Sequence, residues 1–457
     1  MVPGMVDRPL VVVSNRGPVS FRFDADGVPV ARRGAGGLVS GIGPLMAGAE
    51  AIWVAAAMSD ADREAAGDAV ADVEGFRFRA LAVDPATYRA YYDEIANTTL
   101  WYLHHGLGDR ARQPVFDRAW WAAWDAYREV NHRFAEVVAE VAPQDAVVLV
   151  QDLHLYLVAA ALADRRPDLD AVHFSHTPWA APDAFAVLPE SVRREILEGM
   201  AAHRGCGFHT ATWEARFLAC ATEGAATFAS PLGPDPDDIT AVADGAGATA
   251  AGEALAAKVG DRRVITRVDR IELSKNIVRG FLAYEELLDQ SPEWRDQVVF
   301  AALVYPSREG VADYATYRAE VEAVVERINQ RFGTPDWTPV LYDDVDDFPA
   351  SVAALRRADV VLINPVSDGM NLVAKEAALV NDRDGVLVLS PMAGAWGELQ
   401  HAAVACDPYD VSQTAAALAT ALGMADDERA ERFGRWRAAA TARTPADWLA
   451  DNLAAAG

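Results

Sequence analysis

The stretch VVLINPVSDGMNLVAKE, residues 360–376, decides the fold class of this chain. It begins with the apolar run Val360–Ile363, breaks at Asn364-Pro365, and continues through a polar loop into a new helical pattern. A continuous apolar run indicates a strand covered on both faces, as in parallel sheets with helical crossovers. The helix start offers unpaired backbone N–H groups and a partial positive charge, which suit a phosphate. An ordinary crossover with Asp368 capping the helix explains the stretch equally well.

Apolar runs of the same kind alternate with helical patterns along the whole chain. The other predicted strands are 10–14, 146–150, 171–175, 264–268, 298–304, 340–342 and 386–389. The proline-rich segment 230–236 separates two groups of strands and is interpreted as a hinge. We therefore predict an α/β protein with two doubly wound, Rossmann-like domains that face each other across a cleft. The predicted domains are 1–232, 233–440 and a C-terminal helix, 441–457, that returns to the first domain.

Length and charge restrict the function classes. The chain has 457 residues, with 41 Lys+Arg against 67 Asp+Glu and a net charge of −26. Two or three domains fit this length. The acidic excess argues against nucleic acid or an anionic membrane as partner. Because exposed charges are screened beyond roughly 8 Å at physiological salt, a few converging arginines can still bind an anionic substrate.

The cellular setting is predicted from what the sequence lacks. There is no run of about eighteen apolar residues, and the N-terminus shows no secretory pattern. Cys206, Cys220 and Cys406 fit neither a disulfide framework nor a zinc site. We expect a cytoplasmic protein without a metal, and it could form a homo-oligomer.

Polar residues follow the predicted strands of the N-terminal half. Arg16 comes after the first strand, and the glycines of 34–37 would let a phosphate or sugar approach the backbone. Asp152, His154 and His176 follow two further strands, so we expect them at one crevice. For each residue alone, a plain turn or a structural histidine is the competing interpretation. Tyr92 and Trp101 bracket a predicted helix end and could stack on a sugar, although such residues are more often core.

Cations follow the strands of the C-terminal half. Arg270 and Lys275 lie five residues apart on a strand-to-helix turn, and Arg308 follows the next strand. Each charge-assisted hydrogen bond contributes roughly 1.5–3 kcal/mol, so such a pair together with a helix N-terminus can hold a nucleoside diphosphate without metal. Leu372 and Glu376, four apart, share the helix face turned toward the ligand. A surface ion pair is the simpler explanation for any one of these cations.

Taken together, these residues resemble the trehalose-6-phosphate synthase family, which comprises retaining glycosyltransferases with two Rossmann-like domains (GT-B type). The resemblance extends from about Leu10 to the last helix. Its most specific pieces are 368–376, 14–16 with the glycine segment, Arg270 with Lys275, and 387–390 leading into Gly394-Ala395.

The resemblance implies roles for individual residues. Glucose would pass from an NDP-glucose, with uridine or guanosine as base, to glucose 6-phosphate, without metal or cofactor. The implied catalytic residues are Arg270, Lys275, Asp368, His176 and Asp152. The implied donor-binding residues are Gly36, Gly37, Arg270, Lys275, Gly369, Met370, Asn371, Leu372 and Glu376. The implied acceptor-binding residues are Arg16, Tyr92, Trp101, Asp152 and Arg308.

Several positions depart from the family pattern. Gln151 and Leu153 replace His and Tyr, Glu272-Leu273 replaces Asp-Tyr, Asn276 replaces Gly, and Ala56 stands where Trp is frequent near the acceptor. Because of these departures, the sequence does not decide which base the donor carries or how tightly the acceptor sugar is bound.

Three other functions compete with this one. A pseudo-glycosyltransferase of the same fold would join a nucleotide-activated cyclitol to an amino-cyclitol phosphate. A non-catalytic sugar-phosphate sensor would bind without releasing nucleotide. A nicotinamide dehydrogenase is disfavoured because the dinucleotide fingerprint is missing. The residues after Tyr409 predict only helices, so we expect a separate phosphatase to act downstream.

Overall fold

Continuous apolar runs form the strands of two separate, mainly parallel sheets. The computed structural model describes residues 8–33, 43, 46, 51–221, 224–308 and 310–457. The chain divides into an N-terminal unit, Met1–Leu232 with Pro445–Gly457, and a C-terminal unit, Gly233–Thr444. Every strand predicted from the sequence is present, with bounds shifted by at most three residues.

The N-terminal unit contains an eight-stranded sheet and a hairpin. Its strands are β1 Leu10–Ser14, β2 Val19–Phe23, β3 Pro29–Arg33, β4 Ile52–Ala56, β5 Ala71–Val73, β6 Phe76–Leu81, β7 Val147–Gln151, β8 Asp170–Ser175, β9 Gly205–Phe208 and β10 Thr227–Ala229. The sheet order is β10-β9-β8-β7-β1-β4-β6-β5, and β2 with β3 forms an antiparallel hairpin. All neighbours are parallel except β5 and β6. The order reverses between β1 and β7, where doubly wound sheets bind ligands.

The C-terminal unit contains a six-stranded parallel sheet. Its strands are β11 Arg263–Ile271, β12 Val298–Pro306, β13 Val340–Asp343, β14 Val360–Ile363, β15 Val386–Leu389 and β16 Val404–Ala405. Their order, β13-β12-β11-β14-β15-β16, is the order of a dinucleotide-binding Rossmann sheet. Because β11 and β14 are neighbours at the reversal point, the residues after both strands belong to one edge of the sheet.

Helices connect the strands and cover the sheets. In the N-terminal unit they are Asp60–Ala65, Pro85–Arg89, Trp101–His105, Arg118–Val141, Val158–Ala163, Pro182–Phe185, Glu190–Ala201, Ala211–Cys220 and Pro445–Ala454, with a π-helix Ala90–Leu100 and a 3-10 helix Leu153–Leu155. In the C-terminal unit they are Pro236–Ala243, Ala246–Val259, Ile277–Gln290, Ala312–Phe332, Phe348–Arg357, Val373–Val380, Trp396–Leu399, Val411–Leu422 and Asp426–Ala440, with 3-10 helices Leu273–Lys275 and Pro292–Trp294. No helix of the described ranges combines the length and apolarity needed to cross a membrane.

The longest helix, Arg118–Val141, shows how sequence spacing builds the core. Asp117 accepts a hydrogen bond from the Trp120 backbone N–H at 2.9 Å and so caps the first turn. Trp120, Trp124 and Tyr127 follow at spacings of four and three, which places them on one face. Their rings stack with centroid distances of 6.0 and 4.9 Å. This buried aromatic face anchors the helix to the N-terminal core.

The chain ends on a helix that packs into the N-terminal unit. In the helix Pro445–Ala454, the Trp448 ring lies 4.8 Å from that of Phe174, and Asp451 accepts a hydrogen bond from the Ser230 hydroxyl at 2.8 Å.

One detail of the predicted hinge at 230–236 is wrong. Pro236 lies in the first turn of a helix that Asp235 caps, because proline already has the backbone angle that a helix start requires.

Candidate active site

The turn after β11 is fixed by an asparagine in a left-handed conformation. Asn276 has φ 59° and ψ 39°, a conformation that glycine and asparagine adopt more readily than other residues. Its side-chain amide donates to the carbonyls of Asn364 at 2.9 Å and Pro408 at 2.6 Å. The replacement of glycine by asparagine is therefore compatible with the turn, which delivers Lys275 to the edge of the sheet.

Lys275 joins the turn after β11 to the loop after β14. Its Nζ lies 2.7 Å from Asp368 Oδ2 and 3.6 Å from Asp269 Oδ1. Burial lowers the pKa of Lys275, but Asp368 and Asp269 raise it more, so its pKa lies above the ordinary value. Lys275 is therefore a charged ammonium at neutral pH and holds the Asp368 carboxylate in place.

The loop that begins at Asp368 is held rigidly before the helix starts at Val373. Asn371, with φ 73°, donates to Asp368 Oδ2 at 3.0 Å and accepts from the Ala374 N–H at 3.1 Å. In the competing interpretation Asp368 would cap this helix, but the first-turn N–H of Ala374 bonds to Asn371 instead. The loop also bonds to the next one, because the N–H of Gly394 donates to Asp368 O at 3.1 Å.

Close packing explains the glycine in the neighbouring motif. A Cβ at Gly394 would lie 1.9 Å from the carbonyl oxygen of Gly369, so no side chain fits there. The N–H of Ala395 donates to Met370 O at 2.7 Å. The segments at 369–370 and 394–395, both singled out from the sequence, therefore form one interlocked structure.

Glu376 lies in the first turn of the helix Val373–Val380, and its N–H donates to Leu372 O at 2.8 Å. Burial, and then the neighbouring Asp238, raise the pKa of Glu376 to about 7. Leu372 is partly buried against the C-terminal core. Both residues lie just beyond the Asp368 loop.

Glu272 pairs with two of the predicted cations. Its side chain is fully buried, and its Oε1 lies 3.2 Å from Arg270 Nε and 2.6 Å from Arg308 Nη1. The Ser307 hydroxyl donates to the same oxygen at 3.1 Å. The Arg308 guanidinium also lies over the Tyr314 ring, 5.6 Å from its centroid. One carboxylate therefore positions both arginines, while half of the Arg270 side chain stays exposed.

Asp152 and His176 come together after β7 and β8, as predicted. Asp152, with φ 66°, accepts at Oδ1 from the backbone N–H groups of His176 at 3.1 Å and Thr177 at 3.3 Å. Burial raises the pKa of Asp152, but His176 and His154 lower it, and the net result is below the ordinary value. Burial lowers the pKa of His176, and Asp152 offsets this only in part. The pair is therefore a carboxylate beside a neutral imidazole.

His176 has both ring nitrogens engaged. Nε2 lies 2.9 Å from Gln151 Oε1, and Nδ1 lies 3.2 Å from His209 Nε2. Since an amide oxygen can only accept, Nε2 carries the proton in this arrangement. Gln151, one of the departures from the family pattern, thus orients His176.

The aromatic residues predicted for the acceptor fall into separate stacks. The expectation that Tyr92 and Trp101 bracket a helix end is wrong, because a π-helix, Ala90–Leu100, continues directly into Trp101–His105. Tyr92 is partly exposed and stacks on His154 at 5.6 Å. Trp101 is buried and stacks on His105 at 4.0 Å, so little of its ring can face a ligand.

Arg16 is exposed beyond β1, at the reversal point of the N-terminal sheet. The preceding Asn15 is held by the hydroxyls of Tyr88 at 3.1 Å and Tyr91 at 3.0 Å. Ala56 ends β4 and is buried. Gly36 and Gly37 lie outside the described residues. In the part of the chain that is described, no group of three or more His, Cys, Asp or Glu side chains could hold a metal ion.

Comparison with known proteins identifies the family of this chain. The model of glycosyltransferase family 20 matches residues 8–456. The chain belongs to glycosyltransferase family 20. Among the family's curated members, a trehalose-phosphate synthase (UDP-forming) of Aspergillus niger is 31% identical, with 97% of this chain and 95% of that protein covered. A bifunctional trehalose-6-phosphate synthase/phosphatase of Thermoproteus tenax is 33% identical over 93% of this chain, which spans 60% of that protein.

Solved structures of family 20 share the fold. Trehalose-6-phosphate synthase from E. coli, bound with UDP-2-fluoro glucose, aligns with a TM-score of 0.84 at 28% identity and covers 98% of each chain. The Burkholderia xenovorans trehalose-phosphate synthase, in complex with glucose-6-phosphate, gives 0.84 at 27%, with 98% of this chain and 100% of that chain covered. The predicted GT-B fold and the predicted family are confirmed.

Sequence reasoning missed the buried partners of the family 20 site residues. Asp269 contacts Lys275, Glu272 contacts Arg308, and Arg267 contacts Asp269 from the buried side, while Gln151 and His209 contact His176. A signal was present for Arg267 and Asp269, because charged residues within a strand that is largely buried are almost never buried unless paired. No comparable signal marks His209, which reaches His176 only through the pairing of β8 with β9.

Proposed function

We propose that this family 20 member is an α,α-trehalose-6-phosphate synthase, which transfers glucose from an NDP-glucose to glucose 6-phosphate with retention of configuration. The observation that carries the proposal is the charged end of β11 and the turn that follows it. Lys275 of the turn contacts Asp368, and Arg270, at the end of the strand, is half exposed. Cations at the carboxyl edge of a Rossmann sheet, beside a loop that leads into a helix, suit a diphosphate leaving group. The E. coli structure bound with UDP-2-fluoro glucose supports this donor class.

The reaction follows from these groups. The hydroxyl at C1 of glucose 6-phosphate attacks the anomeric carbon of the donor as the bond from that carbon to the diphosphate oxygen breaks. The attack comes from the face that the diphosphate is leaving, which preserves the configuration. The departing oxygen takes the proton of the attacking hydroxyl, so no side chain needs to act as a base. Arg270 and Lys275 stabilise the charge that develops on the diphosphate.

The acceptor is assigned mainly to the N-terminal unit. Asp152 supplies a single carboxylate that can accept a hydrogen bond from a sugar hydroxyl, and the partly exposed Tyr92 offers an aromatic face. Arg16 and Arg308 are assigned to the dianionic phosphate, because arginine binds phosphate in a bidentate manner. The Burkholderia xenovorans complex with glucose-6-phosphate supports this acceptor class.

We infer that no metal takes part. Arg270 and Lys275 carry the charge that a divalent ion would otherwise supply to the diphosphate. Glu376 is assigned to the ribose, since a carboxylate accepts from its hydroxyls.

The deciding experiment measures nucleotide release with glucose 6-phosphate and UDP-, GDP- or ADP-glucose in turn, with and without EDTA. We expect acceptor-dependent release with a uridine or guanosine donor, unaffected by EDTA, and a non-reducing α,α-linked product by NMR. Nucleotide release that does not depend on glucose 6-phosphate would overturn the proposal. Loss of activity in EDTA that Mg²⁺ restores would overturn its metal-free part alone.

A further inference from the structure

A buried arginine stands directly behind the diphosphate-binding turn. Arg267 lies in β11, is 1% exposed, and contacts three separate segments of the C-terminal unit. Its Nε lies 3.0 Å from Asp269 Oδ2, its Nη1 donates to Asn364 Oδ1 at 2.6 Å, and its Nη2 donates to the carbonyl oxygen of Lys275. One guanidinium therefore links the strand, the turn that carries Lys275 and the end of β14.

The fold makes room for this guanidinium. A Cβ at Gly280 would lie 2.6 Å from Arg267 Nη1 and 3.3 Å from Asn364 Oδ1. Gly280 lies inside the helix Ile277–Gln290, where glycine costs roughly 1 kcal/mol relative to alanine. That cost indicates that the space beside Arg267 matters more than local helix stability.

Charge balance gives Arg267 a functional consequence. Lys275 lies between the carboxylates of Asp269 and Asp368, so these three groups together carry a net negative charge. An anionic diphosphate would be repelled by such a set. Arg267 neutralises Asp269 from the buried side and leaves Lys275 to act toward Asp368 and an incoming ligand. Its bond to the Lys275 carbonyl fixes the backbone from which that ammonium extends.

We propose that Arg267 is a positioning residue for nucleoside-diphosphate binding, which holds Asp269 and the Lys275 turn so that Lys275 can engage the diphosphate. This inference rests on the proposed function. It concerns affinity for the diphosphate rather than contact with it, since Arg267 is shielded from solvent.

The test uses the wild type and the variants Arg267→Gln and Arg267→Lys. For each protein, calorimetry gives the Kd values of UDP and GDP, and steady-state kinetics give kcat and KM with the better donor. Arg267→Gln removes the charge, and we expect Kd to rise about tenfold or more. Arg267→Lys keeps the charge but cannot span all three partners, so we expect Kd within about threefold of the wild type and a kcat lowered about tenfold. A folded Arg267→Gln variant with unchanged Kd would overturn the proposal.

Two further variants keep the test decisive. Gly280→Ala crowds Nη1 of Arg267 without changing the charge, and we expect Kd to rise about threefold. If Arg267→Gln does not fold, an unchanged Kd in Gly280→Ala overturns the proposal instead.

Arg429→Gln is the matched control, because Arg429 is also a buried arginine of this unit but bonds to the carbonyls of Asp359 and Arg383. It should lower stability and leave Kd unchanged, and an equal rise in Kd there would also overturn the proposal. If the wild type binds neither nucleotide, the proposed function itself fails.

Discussion

In the C-terminal unit several side chains near the strand ends are charged and paired with one another, whereas in the N-terminal unit most of the polar side chains around Asp152 are neutral. Lys275 pairs with Asp368 and Asp269, and Glu272 with Arg270 and Arg308. Around Asp152, in contrast, burial lowers the pKa of His173 to about 3 and also lowers that of His176. These histidines therefore stay uncharged at neutral pH, and Asp152 stands as a carboxylate among them.

The difference corresponds to the chemistry of the two substrates. A departing diphosphate gains charge in the transition state, and preformed cations with fixed partners stabilise it without reorganising. A sugar is neutral at its hydroxyls, so its site needs directed acceptors and apolar faces more than net charge. We infer that the C-terminal unit supplies most of the charge stabilisation and that the N-terminal unit supplies orientation.

The largest expected effect comes from removing a cation of the C-terminal unit. Arg270→Ala should lower turnover by about 10²–10³-fold, because one charge-stabilising donor is lost from the transition state. The fold should survive, since half of the Arg270 side chain is exposed and Glu272 keeps Arg308 as partner. Steady-state kinetics and thermal unfolding check both expectations.

The matched control for this prediction is Arg327→Ala. Arg327 is half exposed and pairs with Glu285 at 2.5 Å, and its replacement by alanine changes the net charge by the same amount. Its turnover should stay within about twofold of the wild type. Near-normal turnover in Arg270→Ala would remove Arg270 from the proposed mechanism.

A smaller effect is expected from the carboxylate of Asp152 in the N-terminal unit. Asp152→Asn keeps an oxygen that can accept from the N–H groups of His176 and Thr177 but removes the charge. We expect kcat to fall about 10–100-fold, less than for Arg270→Ala, because orientation rather than charge is lost. An equal or larger fall than in Arg270→Ala would reverse the comparison between the units.

Much of the fold could be predicted because several central strands, such as β1, β14 and β15, are almost continuous apolar runs. The predicted and observed bounds agree for β1, β14 and β15. β9, Gly205–Phe208, was missed because its glycines do not indicate a strand. Tertiary packing explains a glycine in this strand, since a Cβ at Gly207 would lie 2.4 Å from the Phe174 ring. Such packing cannot be predicted from local sequence.

The candidate site was predictable in its exposed cations but not in the groups that hold them. Arg270 lies at the end of β11 and not, as predicted, in the turn after it, whereas Lys275 does follow the strand; position near the strand end alone indicates both. Glu272 stands in the same turn, but nothing in one sequence shows that its side chain is buried against two arginines. Gln151 was noticed as a departure, yet its bond to His176 depends on the register of β7 with β8.

The smallest expected effect concerns Glu376, where the pairing of charges in the C-terminal unit is incomplete. Its pKa of about 7 lies above the ordinary value of 4.5, so the folded state binds this proton more tightly than the unfolded state. Stability should therefore fall as pH rises from about 4.5 to about 7. Glu376→Gln lacks this titration, so its free energy of unfolding relative to the wild type should increase by about 1–2 kcal/mol between pH 5 and pH 8.

Denaturant unfolding of the nucleotide-free protein at both pH values measures this increase. Glu322→Gln serves as control, because Glu322 is an exposed carboxylate paired with Arg318 at 2.8 Å. That variant should differ from the wild type by less than about 0.5 kcal/mol at either pH. If the difference for Glu376→Gln is the same at both pH values, Glu376 is ionised in the folded protein at low pH as well. The contrast between this carboxylate and the neutral histidines of the N-terminal unit would then be sharper than we propose.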